Sequence, residues 1–318
     1  MLDSFSGKME DYPEMVSMKS EFINAQSNLV EWNDPSSIPN LSFHVLIHDA
    51  TRAFTDKQYG GKYNRNFVST AEFKQILEHL YANGYVLVDF NSFVEAATLN
   101  DTEQYITKPI YLPAGKKPLM ITETMVNYFA YMIDPNNDGT IDHTGFASKL
   151  VLDGNGNIKA EYVDINSQTQ VGNYDLVPIL EDFIDKHPDF SYHGSRALLA
   201  VSGYDGVFGY RTNKSVVDTK GQAYYDAEVA AAKEVATALK DAGYDLACNS
   251  YDNISYADSS LELIQGDMQM WAEEVAPIMG DIDIFVYPYG DDIAETMIDA
   301  YVGEKFEELH NAGYRIYI

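Results

Sequence analysis

The stretch LKDAGYDLACNSYDNISY, Leu239 to Tyr256, decides how this chain is read. An amphipathic run ends at Leu239, a glycine and a tyrosine follow at 243 and 244, and a short apolar run leads into Asn249. The same unit recurs as Leu80-Tyr-Ala-Asn-Gly84-Tyr85 before VLVDF and as Leu309-His-Asn-Ala-Gly313-Tyr314 before RIYI. A glycine at that place closes a helix in the left-handed conformation, the tyrosine folds back on the last turn, and a strand begins. Each unit is therefore expected to be a helix, a tight turn and a strand.

The runs before these turns have helical spacing. Phe73, Ile76, Leu77, Leu80 and Tyr81 make one apolar stripe, with Ser69 and Glu72 at capping-box spacing ahead of it. Leu176, Ile179, Leu180, Phe183 and Ile184 make another, and Leu261, Ile264, Met268, Trp271 and Val275 a third. Such stripes signal packing against a core. Between them lie β-rich runs: FHVLIH ending at His48, PLMIT (118–122), ALLAVSG (197–203) and DIFVYP (283–288). Strands alternating with helices imply an α/β fold with a parallel sheet, and the number of units favours a (β/α) barrel over an open sheet.

Residues 1–37 are expected to be an N-terminal extension, and 38–318 the barrel. Residues 131–172 break the rhythm and are expected to form an excursion from it. LVLDGNGNIKAEYV there is a β-hairpin pattern with its turn at Asp153 to Asn157. Asp134, Asn136, Asp138 and Gly139 match the first half of a calcium loop, but Gly145 stands where the bidentate glutamate belongs, so a polar turn is expected. The last apparent strand ends at Ile318, which leaves the barrel short of its final helix.

With 46% hydrophobic residues the chain can bury a large core. Its net charge of -28 repels phosphate backbones and anionic lipid heads, which argues against nucleic acid as a partner. No apolar run approaches the roughly 20 residues of a membrane span, and the N-terminus lacks the pattern of a signal peptide. A single cysteine, Cys248, excludes an intrachain disulfide and a cysteine-rich zinc site.

Active sites of such barrels form where strands end. The residues to inspect are then His48-Asp49, Glu123-Thr124-Met125, Ser202-Gly203-Tyr204, Asn249 to Asn253 and Tyr287-Pro288-Tyr289-Gly290. Tyr128, Tyr204, Tyr251, Tyr287 and Tyr289 could stack against sugar faces or pack over the barrel mouth.

The succession FHVLIHD, EFKQILEHLYANGYVLVDF, KPLMITETMVNYF, AGYDLACNSYDNISY and IFVYPYG resembles the polysaccharide deacetylase (NodB-like) family, from about Ile38 to Ile318. The resemblance implies a distorted (β/α) barrel and a hydrolase that removes N- or O-acetyl groups from glycans with a divalent metal, zinc or similar. It also implies a carbohydrate partner, a cell-wall or dietary glycan, and an extracellular or cell-surface location. In the family one aspartate is the general base, the next binds the metal, and a His-Ser-x-x-His pair completes the site. The metal lowers the pKa of its water and the carboxylate takes the proton.

This chain departs from that pattern at each position. The two aspartates map to Thr124 (base) and Met125 (metal), or, one residue earlier, to Glu123 and Thr124. The histidines map to Asn249 and Asn253, and the family's arginine to Val286, while Pro288, Tyr289 and Gly290 are kept. His48, Asp49, the five tyrosines, Pro288 and Gly290 are the expected substrate-binding groups. Three functions follow as expectations: a glycan deacetylase, a catalytically silent relative that binds glycan in the same cleft, or a structural domain of a larger surface protein. A thioether and two amides are poor zinc ligands, so the substitutions speak for the silent relative.

Overall fold

In a computed structural model of the chain, residues 12–99, 102–136, 138–294 and 302–318 are described. The glycine-tyrosine units fold as their spacing predicts. Gly84, Gly243 and Gly313 have φ of 79°, 99° and 106°. The Tyr244 N–H donates to Leu239 O (3.0 Å) and the Tyr314 N–H to Leu309 O (3.2 Å), which closes each helix by a six-to-one bond. Gly243 also lacks room for a side chain, since a Cβ there would lie 2.7 Å from Gly194 O. Ser69 and Glu72 form the expected capping box at the start of the helix Thr70–Ala82.

The strands, in chain order, are β1 (Leu29–Trp32), β2 (Asn40–His44), β3 (Tyr85–Leu87), β4 (Val94–Leu99), β5 (Thr102–Thr107), β6 (Ile110–Pro113) and β7 (Lys117–Thr124). There follow β8 (Ala147–Leu152), β9 (Ile158–Val163), β10 (Thr169–Gly172), β11 (Leu198–Val201), β12 (Asp245–Cys248), β13 (Ile284–Phe285) and β14 (Ile316–Tyr317). The main sheet is parallel and runs β2-β7-β11-β12-β13-β14, with β3 paired to the first half of β7. Spatial order follows chain order. A chain that always steps to the same side, through crossovers of one hand, places its helices on one face and curls the sheet. The result is a half-barrel, open between β2 and β14, where the sequence led to the expectation of a barrel.

One boundary differs from expectation for a tertiary reason. The run FHVLIH is not strand to its end: β2 stops at His44, because the Leu46 N–H donates to the distant Asp175 carboxylate (2.7 Å) instead of a neighbouring strand. Residues 131–172 form their own elements outside the parallel sheet and pack against the main core. β8, β9 and β10 make an antiparallel sheet, the Leu150 N–H donates to Phe208 O (3.0 Å), and Leu150, Ile158 and Ala160 are buried in the main core. Within this segment Asp134 spends both carboxylate oxygens on the N–H groups of Asp138 and Gly139, a polar turn. The antiparallel pairs β1-β6 and β4-β5 lie outside the parallel sheet. A second apolar cluster, which includes Val86, Phe93, Ile110, Leu112 and Met120 with Trp32 and Phe90 against it, packs beside the first half of β7. Among the described residues no helix is long and apolar enough to cross a membrane.

Candidate functional site

Side chains alternate across the parallel strands, and the two faces differ in chemistry. Ile121, Leu199, Val201, Leu246, Cys248 and Phe285 enter the helix-covered core. The opposite face carries Asn40, Ser42 and His44 on β2 and Thr122 and Thr124 on β7, followed by Ala200 and Ala247. Closed barrels fill this space with large branched side chains. Small and polar residues leave it as a cleft of about 990 Å³ at the C-terminal ends of the strands.

One wall of the cleft is a polar ladder. His44 and Thr124 are register partners on adjacent strands, and His44 Nδ1 lies 2.7 Å from Thr124 Oγ1. One rung below, the Thr122 hydroxyl donates to Asn40 Oδ1 (3.0 Å). The His44 ring tilts against Phe67 at 5.0 Å, and burial lowers its pKa, so the imidazole is neutral at pH 7. The other wall is aromatic. Tyr59, Tyr131, Phe129 and Tyr204 form a chain of ring contacts at 5.2, 5.7 and 6.1 Å, and Tyr289 projects into solvent with 72% exposure.

Several backbones around the cleft are strained. Met125, Ser250, Asn253 and Tyr289 have φ of 63°, 63°, 53° and 64°, a region that costs a non-glycine residue on the order of 1 kcal/mol or more. Such conformations persist only where the surroundings impose them. Here the buried Asp267 does so for the loop after β12. Its Oδ1 accepts from the Ser250 hydroxyl (3.0 Å) and Asp252 N–H (2.8 Å), its Oδ2 from the Tyr251 N–H (2.8 Å) and Tyr256 hydroxyl (2.7 Å). Asn249 is fixed separately, its Nδ2 donating to Val286 O (2.8 Å).

The cleft brings together Thr124, Met125, Asn249, Asn253, Tyr204, Tyr287, Tyr289 and Gly290 from the sequence-derived set. The other expected residues lie elsewhere. Glu123 points to the opposite side of β7 from Thr124 and is fully buried in the core beside Asp175 and Tyr128. Tyr128 is buried with its hydroxyl on Asp175 (2.5 Å), and Tyr251 is buried with its hydroxyl on Glu274 (2.7 Å). His48 stands between the rings of Tyr162 and Tyr174, because β2 has ended four residues earlier. Asp49 caps the short helix after it through the Arg52 N–H (3.0 Å) and pairs with His143 (3.1 Å). Pro288 is buried behind Tyr289 and does not line the cleft. Sequence reading missed Asn40, Ser42, His44 and Thr122, although polar residues at every second position of NLSFH were the available signal. It also missed Tyr59, Lys62, Tyr63 and Tyr131, which reach the cleft from loops and short helices with no pattern of their own.

The donors at the expected metal position do not fit zinc. They are a thioether, Met125, and two neutral amides, one of which, Asn249, is already committed to a backbone carbonyl. Among the described residues no group of three His, Cys, Asp or Glu side chains is placed to hold a metal ion.

No protein-family model and no curated protein matches the chain. Among solved structures it is similar to the Streptococcus pyogenes deacetylase PplD in complex with acetate. That likeness has 12% sequence identity and a TM-score of 0.40, and covers 87% of this chain and 81% of that one. So distant a likeness assigns this chain neither a family nor an activity.

Proposed function

We propose that the chain binds a neutral saccharide in the cleft and does not carry out metal-dependent deacetylation. The observation that carries this is the pairing of two walls. Asn40, Ser42, Thr122 and Thr124 offer neutral hydrogen-bond groups, while Tyr59, Tyr131, Tyr204 and Tyr289 offer ring faces. Sugars present hydroxyls at their edges and C–H groups on their faces, and these two surfaces match them. Lys62 and Asp252 are the charged residues on the lining, so the site favours an uncharged ligand.

The competing reading is the metal-dependent hydrolysis that the sequence resemblance implies. It needs carboxylate and imidazole at positions where this chain has Thr124, Met125, Asn249 and Asn253. Calorimetry with chito- and xylo-oligosaccharides, run beside metal analysis and acetate release from acetylated forms of both, separates the two. Saccharide binding with no metal and no metal-dependent acetate release is the expected result. Stoichiometric zinc with EDTA-sensitive acetate release would overturn it. The combined variant Thr124→Asp, Met125→Asp, Asn249→His and Asn253→His tests the mapping itself, since a well-folded form should acquire metal.

A further inference from the structure

Saccharide binding makes no use of His44, which is paired with Thr124 in the cleft. We infer that Thr124 Oγ1 is a nucleophile and His44 its general base, in a metal-independent transfer of the acyl group of a carboxylic ester. The inference goes beyond the binding proposal and does not require the ligand to be a sugar.

Three observations carry it. First, the pair is built by the sheet: His44 and Thr124 are opposite one another on adjacent strands, and 2.7 Å separates Nδ1 from Oγ1. The other acceptor near that hydroxyl, Phe43 O, is at 3.4 Å, so the imidazole is the nearer partner for its proton. A nucleophile and base within hydrogen-bond reach are the basic requirement of covalent acyl transfer. Second, both side chains line the cleft at the C-terminal ends of the parallel strands, where a substrate can reach them. Third, the chain turns away immediately after Thr124, with Met125 at φ 63°, so the threonine stands at the tip of β7.

The surroundings select the ester. Lys62 is the single cation among the lining residues and Asp252 faces the same space, so a phosphoryl group would meet too little positive charge. No carboxylate pairs with His44 among the described residues, and desolvation is what perturbs its ring. A base without such support suits an alcohol leaving group better than an amine.

The step balances with water as co-reactant. Thr124 Oγ1 attacks the acyl carbon while its proton passes to His44. The carbon–oxygen bond to the alcohol then breaks, and the departing alkoxide takes that proton. Water attacks the acyl-threonine, loses a proton through His44 to Thr124 Oγ1, and leaves the carboxylic acid.

The test uses the full chain with 4-nitrophenyl acetate in the presence of EDTA. Nitrophenolate release is followed, and acid-quenched samples are mapped by peptide mass spectrometry. Parent and Thr124→Ser should show acetyl on residue 124, and Thr124→Val should show none. His44→Gln should slow acylation by about 100-fold or more. Absence of acetyl from residue 124 in the parent overturns the inference, and so does release by Thr124→Val at the parent rate. Saccharide calorimetry on the same samples keeps the two proposals apart: sugar binding without acylation defeats only this one, and acylation without sugar binding defeats only the other.

Discussion

Replacing Glu123 by glutamine should remove a proton that the folded chain takes up. Glu123 is fully buried, and no donor reaches either of its carboxylate oxygens. Its neighbour Asp175 accepts from the Leu46 N–H (2.7 Å), the Leu176 N–H (2.8 Å) and the Tyr128 hydroxyl (2.5 Å). Burial raises the Asp175 pKa, but these three donors oppose that rise, so Asp175 is the more readily ionised member of the pair. Burial, and then the charge of Asp175, push the Glu123 pKa well above its ordinary value, so Glu123 holds the proton. In the unfolded chain this group ionises near about 4.3. Between that value and the raised folded one, the folded state binds one proton more. Stability therefore falls as pH rises through the window, by about 1.4 kcal/mol per pH unit for this one group. Glutamine has nearly the same shape and stays neutral at every pH. Urea unfolding at pH 5, 6, 7 and 8 should show the parent losing stability relative to Glu123→Gln as pH rises above the unfolded-state value, until Glu123 ionises in the folded chain. The difference isolates Glu123 from Asp245, whose pKa burial pushes up to about 7 and whose slope has the same sign. Parallel curves for parent and variant would refute the assignment. So would a variant weakened by about 3 kcal/mol or more at every pH, the mark of a charge removed from a satisfied site.

Asp267→Ala should cost about 3 kcal/mol or more by urea midpoint, because it strands two backbone N–H groups and two hydroxyls of the 250–256 loop; a loss under about 1 kcal/mol would show that the loop holds itself. Gly203→Ala should cost about 1–3 kcal/mol, since a Cβ there would lie 2.1 Å from the Tyr251 ring and 2.8 Å from Val275. Tyr204→Ala and Tyr289→Ala, both at exposed rings, should leave the urea midpoint within about 0.5 kcal/mol of the parent while each weakens saccharide binding by about 1 kcal/mol in calorimetry. Unchanged affinity in both tyrosine variants would remove the aromatic wall from the proposed site.

What could be read in the sequence was local chemistry. The Leu-x-x-x-Gly-Tyr units and the Ser69–Glu72 capping box carry their own geometry within a few residues, and each is found where its spacing placed it. What could not be read depends on partners far along the chain. Val45, Leu46 and Ile47 look like a continuation of β2. They are a buried crossing instead, because Asp175 lies 129 positions away and takes the Leu46 N–H. The same distance effect drew attention to His48 and away from His44. Openness of the sheet was hidden for a similar reason: it follows from which strand stands beside which, and the helix and strand count is equally compatible with a closed barrel.

The stretch ITET on β7 shows how much can hang on one residue of register. The family pattern maps onto it in two ways, one placing Thr124 at the base position and the other Glu123. A strand sends neighbours to opposite faces, so only one of them can face the cleft. Thr122 settles the parity, since its hydroxyl meets Asn40 on the cleft side and Thr124 must follow it there. Glu123 is then on the core side, where it has no access to substrate and can keep its proton. A carboxylate in the cleft would attract cations and could serve as a base by itself. With Glu123 turned inward, β7 presents the hydroxyls of Thr122 and Thr124 to the cleft, and the contact between His44 and Thr124 is the nucleophile–base pair we infer there.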